Sequence, residues 1–493
     1  MFLNLLKKEA NNTYTENGAL TYESTMSDCL DFFATVGALR NAPEDEIVAR
    51  FARAYAENAD MALKILFYAR DVRKGLGERR VFRVILAYLA QNQPEAVLKN
   101  IENVGEYGRF DDLLALMGTP CEGAAIRFFK SQLEKDMATA ETGSGGVSLL
   151  AKWLPSVNTS NRAVAALGRE IAKKMGFSYG DYRKMLSKLR AQIRIIENNL
   201  RLKDYTFDYE KQTSKSLFKY RKAFYQNDRK RYCAFLEKAA AGSKVMHTGT
   251  LTPYDVVAPI VTRAMRGQGL TIPERHSVNV TWNALENYVG SENAIAVVDG
   301  SGSMYYRGYT PLPAAVAQSL GIYFAERNTG AFKGHFITFS NKPQLVQVKG
   351  KDIYEKMHYC MGFNECSNTD LSATFELILR TAVTNRVKQE AMPKRLYIIS
   401  DMEFDACAEN ASVSNFDHAK KQFAKFGYKL PELVFWNVCS RNRQQPVTKN
   451  EKGVVLVSGC SPQIFSMLRN GCMDPYHFML EVISSERYSK IAA

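Results

Sequence analysis

The sequence of 493 residues predicts two structural parts, an α-helical repeat region followed by a doubly wound α/β domain. Three observations support this fold class: a globular composition, helical periodicity before residue 265, and short β-rich runs after residue 285. With 46% hydrophobic and 24% charged residues, the composition excludes a mostly disordered, collagen-like or coiled-coil chain. We predict one domain over residues 1–280 and a second over residues 285–493.

The amino-terminal half has the pattern of consecutive helices joined by short turns. Apolar residues recur at spacings of three and four, and Gly, Pro or Asn breaks such as KGLGE, GTP and ETGSGG separate the periodic stretches. Helical pairs joined in this way are typical of an α-solenoid or an irregular helical repeat. The predicted helices are Glu46–Arg70, Val81–Gln91, Ala124–Met137, Arg162–Lys174 and the basic helices beyond them.

The carboxyl-terminal half alternates short apolar runs with helical stretches. The runs are AIAVVD, HFITFS, LVQV, RLYIIS, LVFWNV and VVLVS. Such alternation predicts a doubly wound sheet with helices on both faces. The intervening helices are predicted at Pro313–Asn328, Leu371–Ala382, Asn415–Phe426 and Ser461–Arg469.

The positive charge of the chain is concentrated in its middle. Lys and Arg number 65 against 51 Asp and Glu, a formal net charge of +14. Residues 151–250 hold 22 basic and 8 acidic residues, whereas residues 1–150 are net −4 and residues 251–493 net +4. A localised excess of this kind favours a partner that carries negative charge.

The basic segment predicts helices with an apolar stripe and charged outer faces. Charge runs are commonly solvated helix faces, which is one interpretation here. The other is a phosphate-binding surface for RNA, on which Tyr205, Tyr209, Phe218, Tyr225, Tyr232 and Phe235 supply stacking platforms for single-stranded bases. The residues predicted to bind RNA are Arg183, Lys184, Lys188, Arg190, Arg194, Lys215, Lys219, Lys222, Arg229, Lys230 and Arg231.

A cluster of oxygen-bearing side chains follows the predicted strands. Asp299, Ser301 and Ser303 come directly after AIAVV, and Thr369 and Asp401 stand at later strand ends. One carboxylate and two hydroxyls on a glycine-bent loop are hard ligands that suit Mg²⁺. The alternative is that Asp299 and the serines make only turn hydrogen bonds. We predict a metal site formed by all five residues.

This set resembles the metal-ion-dependent adhesion site of von Willebrand factor A domains. The resemblance assigns Asp299, Ser301 and Ser303 to the first loop of that site, Thr369 to the second and Asp401 to the third, with Asp405 as a substitute for Asp401. It implies a divalent cation, Mg²⁺ or another, whose open position accepts a carboxylate or a phosphate from a partner.

The amino-terminal half extends the resemblance. RDVRKGLGERRVF, EYGRFDDLLAL, AKWLPSVNTSNR, YRKMLSKLR and KYRKAFYQND resemble proteins that join a TROVE-like helical region to a von Willebrand factor A domain, related to the Ro autoantigen and bacterial Ro-like RNA-binding proteins. The match covers roughly residues 20–490. It implies a HEAT-like helical ring that binds small non-coding or misfolded RNA. The same strings also fit structural roles, with Asp111 or Asp112 capping a helix beside Phe110.

We therefore expect a non-enzymatic, Ro-like RNA-binding ribonucleoprotein component with a magnesium-binding A domain. A metal-dependent protein-interaction scaffold without RNA is the alternative. A Mg²⁺-dependent phosphoryl or nuclease activity is disfavoured, because the sequence has no P-loop and no convincing Ser/His/Asp or Cys/His set. The cysteines form no C-x-x-C pair, which argues against zinc. No segment predicts a membrane span or a signal peptide, so we expect a cytoplasmic protein.

Overall fold

The computed structural model describes residues 2–143, 145–193, 195–366, 369–406 and 414–493. A helical region precedes a six-stranded sheet with flanking helices, which confirms the predicted fold class. No helix in these ranges has both the length and the apolarity needed to cross a membrane. The helices before the sheet are α1 (Phe2–Ala10), α2 (Asp28–Thr35), α3 (Glu44–Glu57), α4 (Ala59–Arg70), α5 (Arg79–Asn92), α6 (Pro94–Asn100), α7 (Val104–Tyr107), α8 (Glu122–Thr142), α9 (Leu150–Trp153), α10 (Arg162–Lys174), α11 (Tyr179–Gln192), α12 (Ile196–Leu202), α13 (Ser214–Lys219), α14 (Arg221–Asn227), α15 (Arg229–Ala240), α16 (Pro253–Ala264) and α17 (Ile272–Asn283).

One predicted helix is divided in the structure. The stretch Glu46–Arg70 was expected to be continuous, but it forms α3 and α4 with a break at Asn58. Asn58 adopts an extended backbone, and its side chain accepts a hydrogen bond from the N–H of Met61. Asparagine is a favoured N-cap because its side-chain oxygen satisfies an unpaired amide of the first turn. Because the apolar periodicity continues across Asn58, the sequence pattern did not indicate a helix end there.

The sheet is mostly parallel. Its order is β5-β4-β3-β6-β7-β8, and only β5 runs antiparallel to its neighbour. Two further short strands, β1 (Asn12–Tyr14) and β2 (Leu20–Tyr22), form a separate hairpin. The main strands are β3 (Ala294–Asp299), β4 (His335–Phe339), β5 (Leu345–Gln347), β6 (Arg395–Ser400), β7 (Glu432–Asn437) and β8 (Val454–Ser458). The helices of this part are α18 (Pro313–Arg327), α19 (Ile353–Met361), α20 (Leu371–Thr384), α21 (Asn415–Lys425), α22 (Gln463–Asn470) and α23 (Pro475–Ile483).

Alternate residues of each strand enter two different cores, because successive side chains of a strand point to opposite faces. Ile295 and Val297 of β3 pack with Phe375 of α20 and Phe423 of α21. Val298 of the same strand belongs to a core that continues without interruption into the helical region. On this face α18 packs on β3, while the helical region packs on α18 through α16 and on β8 through α2, so the two parts share a hydrophobic core.

The ends of the chain cross between the two parts. The β1–β2 hairpin lies against the α/β part, where the hydroxyl of Thr15 donates to the carbonyl of Phe404 at 2.5 Å. At the other end, Arg487 pairs with Asp71 at 2.8 Å, and the Asn100 amide donates to the carbonyl of Ala492 at 2.6 Å. The amino-terminal hairpin is therefore held against the α/β part, and the last residues of the chain are held against the helical region.

A buried ion pair gives structural roles to residues of two strings that carry the resemblance, RDVRKGLGERRVF and EYGRFDDLLAL. Asp112 of GRFDDLL is fully buried and accepts from Nε of Arg70 at 2.7 Å and from Nε of Arg83 at 2.6 Å. It also accepts from the backbone N–H of Arg109, which caps the turn. A Cβ on Gly108 would stand 2.5 Å from the Asp112 carboxylate, so glycine is needed there. Asp112 is thus not the N-cap itself: Arg109 holds that position, and Asp112 satisfies its amide from the third residue of a 3-10 turn.

Asp31 makes the stability of the amino-terminal helices dependent on pH. Burial outweighs the hydrogen bond from the Thr25 amide and raises the pKa of the Asp31 carboxyl to about 7. A carboxyl with a raised pKa in the folded state stabilises the protein fully below its unfolded pKa, roughly 3.9, and this stability is lost as the pH rises through 7. We expect Asp31→Asn to raise the melting temperature at pH 8 relative to the parent protein, and to leave it nearly unchanged near pH 4. A melting-temperature difference that does not vary with pH would contradict this assignment.

Candidate metal site and basic surface

The predicted metal ligands of the first and third loops lie at neighbouring strand ends. β3 is flanked by β4 on one side and β6 on the other, so chain connections leave in opposite directions between β3 and β6. Ligands of open α/β sheets bind at such a switch point, beyond the carboxyl ends of the strands. Asp299 ends β3, and Asp401 follows the last residue of β6. The strand order therefore brings together two acids that are about a hundred residues apart in sequence.

Four of the five predicted ligands form one hydrogen-bonded group. The backbone N–H of Ser301 donates to Asp299 Oδ1 at 2.8 Å, and the hydroxyls of Ser301 and Ser303 are 3.1 Å apart. The hydroxyl of Ser303 then donates to Asp401 Oδ2 at 2.8 Å. Two carboxylates and two hydroxyls thus lie in one hydrogen-bonded group, and hard oxygen donors of this kind are those that Mg²⁺ prefers.

The electrostatics of this group favour a bound cation. Asp299 is fully buried, and burial together with repulsion from Asp401 raises the pKa of the Asp299 carboxyl well above its usual range. A divalent cation between the two acids would offset both costs. In this structure Arg441 contributes the nearest positive charge, with its guanidinium 3.2 Å from Asp401 Oδ2. The donor set fits a divalent cation.

Thr369 lies in an adjoining group. Its buried hydroxyl is 2.6 Å from the carbonyl of Glu403 and 3.2 Å from Asp405 Oδ1, and it accepts from the side-chain amide of Asn17 at 2.8 Å. Within the described residues it makes no direct hydrogen bond to Asp299 or Asp401. Asp405, the proposed substitute for Asp401, contacts Thr369 instead of Ser303. That Asp405 or Thr369 binds the metal stays a prediction.

Several residues around this site were absent from the sequence prediction. Ser400 donates its hydroxyl proton to Asp299 Oδ2 at 2.5 Å, and Arg441 also pairs with Glu16 at 2.6 Å. Ser400 could have been found, because it directly precedes Asp401 at the end of an apolar strand. Glu16 and Asn17 carry no local signal, since only folding places the β1–β2 turn beside this edge of the sheet.

Many of the predicted RNA-binding side chains are exposed but already have partners. Lys188 pairs with Glu141 at 3.0 Å, Lys222 with Glu274 at 3.0 Å and Lys215 with Asp255 at 3.6 Å. These exposed ion pairs are weak and leave the lysines able to exchange partners. Arg231 forms an ion pair with Asp228 at 3.1 Å. Lys219 and Arg229 make cation–π contacts with the rings of Tyr220 and Tyr225.

Three predicted residues have no such partner. The side chains of Arg183, Lys184 and Lys230 are exposed and make no hydrogen bond or ion pair to any residue in the described ranges. Arg190, by contrast, is partly buried and directs its guanidinium inward. Arg194 lies outside the described residues.

The predicted stacking platforms are mostly unavailable. Tyr209, Phe218, Tyr232 and Phe235 are buried, and Tyr209 packs its ring 5.5 Å from that of Phe235. Tyr209, Tyr232 and Phe235 close a small core beneath α13, α14 and α15, whereas Phe218 belongs to the main core. The expectation that they stack on bases is wrong for these four. Helical spacing alone does not separate an exposed ring from a core ring.

The fold and the donor set define a two-part protein, helical and α/β, with a candidate divalent-cation site at the switch point of the sheet. Two family models match it: a domain of unknown function (DUF2828) over residues 15–125 and 177–292, and a domain of unknown function (DUF7788) over residues 293–486. An uncharacterized protein of Acanthamoeba polyphaga mimivirus is 29% identical over 515 residues, with 96% of this chain and 87% of the viral protein covered. The crystal structure of the Deinococcus radiodurans Ro (Rsr) protein is similar at a TM-score of 0.48 and 16% identity, covering 94% of this chain and 100% of that chain.

Proposed function

We propose that this protein binds RNA through its basic helical surface and does not act as an enzyme. The observation that carries the proposal is the concentration of 22 basic against 8 acidic residues in residues 151–250, on helices whose charged side chains face solvent. Excess positive charge on one surface attracts the phosphate backbone independently of sequence. The class of RNA, small non-coding or misfolded, follows from the resemblance to Ro-like proteins.

The α/β part supplies a second contact in this proposal. Asp299, Ser301, Ser303 and Asp401 would hold Mg²⁺, with Thr369 the fifth candidate ligand. When bound, the cation offers an open position to a carboxylate or phosphate oxygen. Ser400 holds Asp299 in place through its hydroxyl, and Ser303 bridges to Asp401.

Binding to a fluorescent single-stranded RNA of about 20 nucleotides tests the proposal, measured by anisotropy over a range of salt concentrations. We expect the affinity to fall steeply with salt, because each neutralised phosphate releases counterions, with a slope of roughly −0.7 per contact on a logarithmic plot. Nucleic acid that copurifies with the protein should be identified by sequencing. Affinity that is absent, or that does not change with salt, would contradict RNA binding.

A metal-dependent protein scaffold is the second candidate, and the donor set at the switch point favours it. It predicts capture of a protein partner that is lost with EDTA and in Asp299→Ala, with no requirement for RNA. A partner interaction unchanged by both treatments would reject it. Metal-dependent turnover of labelled RNA by the pure protein would instead contradict the non-enzymatic proposal.

A further inference from the structure

A cavity of about 430 Å³ lies between α11 and the turn that follows α9. Its volume falls within the roughly 300–1,000 Å³ of small-ligand sites, so it can hold more than a single ion. Its polar and charged lining comes from Ser156, Asn158, Arg183, Lys184, Ser187 and Arg190, and no acidic side chain of the described chain lines it.

Arg190 is a partly buried charge, and no acidic side chain in the described ranges pairs with it. Its Nε donates to the carbonyl of Ala151, its Nη1 to the hydroxyl of Ser156 and its Nη2 to the carbonyl of Leu154, at 2.7–2.8 Å. All three acceptors are neutral, and burial lowers the pKa of Arg190. A guanidinium carries five N–H groups, so two remain after these bonds. Even partial burial of an unpaired charge is costly, and an anion beside it would offset that cost.

The mouth of the cavity carries two further cations. Arg183 and Lys184 are exposed and have no partner among the residues that the structure describes. The hydroxyl of Ser156 accepts from Arg190, so its own proton is free to donate into the cavity. Three cations, a free hydroxyl and no acid make the space complementary to a phosphate, which accepts several hydrogen bonds.

We propose that this cavity binds a phosphate group of single-stranded RNA, an inference that rests on the proposed function. A concave site of this size admits an unpaired nucleotide with its phosphate, whereas the bases of a regular duplex stay paired and stacked and present only backbone phosphates to it. The phosphate comes either from the RNA terminus or from an unpaired internal position.

The test compares the double variant Arg183→Gln/Lys184→Gln with a control that removes two exposed lysines of the α/β part, Lys342→Gln/Lys351→Gln. Both lower the net charge equally, and neither touches the hydrogen bonds of Arg190. Single-stranded RNA of about 20 nucleotides, with a 5′-phosphate or a 5′-hydroxyl, is titrated by anisotropy over a salt series. Thermal shifts in inorganic phosphate against chloride at equal ionic strength give a readout that needs no RNA.

We expect the double variant to bind RNA about tenfold more weakly or worse, with a salt slope shallower by roughly 1.4, and to lose stabilisation by phosphate. The control should keep the parent slope and the thermal shift. Where the double variant loses affinity, stronger binding of the 5′-phosphorylated RNA by the parent assigns the cavity to the terminal phosphate, and equal binding of the two RNAs assigns it to an internal phosphate.

Two results would overturn the proposal and separate it from the proposed function. If the double variant binds RNA as tightly as the parent, the cavity does not contact RNA and this proposal fails. The proposed function then still stands, because the rest of the basic surface binds RNA. If the parent protein binds no RNA, both proposals fail, even where phosphate stabilises the parent and not the double variant.

Discussion

Replacing Asp112 with alanine is expected to lower the free energy of unfolding by about 3–5 kcal/mol. The substitution removes the carboxylate that neutralises Arg70, whose side chain is only 2% exposed, and so leaves a buried guanidinium without a partner. It also removes the acceptor for Arg83 and for the backbone N–H of Arg109. Urea unfolding followed by circular dichroism measures the change as a lower midpoint.

The matched control is Asp111→Ala. The neighbouring carboxylate pairs with Arg83 and Arg109, yet it keeps 14% exposure and contacts partners that reach solvent. Solvent screening reduces the value of such pairs, so we expect a loss of about 1 kcal/mol or less. Equal midpoints for the two variants would show that the buried pair does not stabilise the helical region in the way its geometry indicates.

Asp299→Asn is expected to abolish stabilisation by Mg²⁺. At a magnesium concentration about 100-fold above its dissociation constant, the parent protein should gain roughly 2.7 kcal/mol, because the ion binds only the folded state. Asparagine retains an acceptor for the Ser301 amide but not the charge that attracts the cation. Thermal shifts across a magnesium titration, with calcium in parallel, give the measurement.

Asp401→Asn and Asp405→Asn separate the two alternatives for the third loop. Asp401 accepts from Ser303, whereas Asp405 contacts Thr369, so we expect only the Asp401 variant to lose the magnesium response. The Asp405 variant is the control for a carboxylate lost nearby. If Asp299→Asn still responds to magnesium, the metal site is rejected. If only the Asp405 variant loses the response, Asp405 and not Asp401 is the ligand from the third loop.

Short apolar runs predicted the strands of the α/β part well, because β3, β6 and β8 are mostly apolar and are bounded by polar turns. AIAVVD, RLYIIS and VVLVS correspond residue for residue to β3, β6 and β8. Knowing that parallel strands end at one edge was enough to expect Asp299 and Asp401 side by side. Helix boundaries in the amino-terminal half were harder to predict. The apolar spacing continues unchanged through Asn58, although the helix ends there and a new one begins.

The sequence by itself determined the fold class, the oxygen donors after β3 and β6, and the segment that carries the excess charge, since all three depend on residue type and short-range spacing. The tertiary structure alone decided which charges are free. It paired Lys215 and Lys222 with acids of α16 and α17, partly buried Arg190 among neutral acceptors and left Arg183 and Lys184 at a cavity mouth. It also placed Glu16 beside Arg441. Burial and pairing depend on contacts between residues distant in sequence, which no local pattern records.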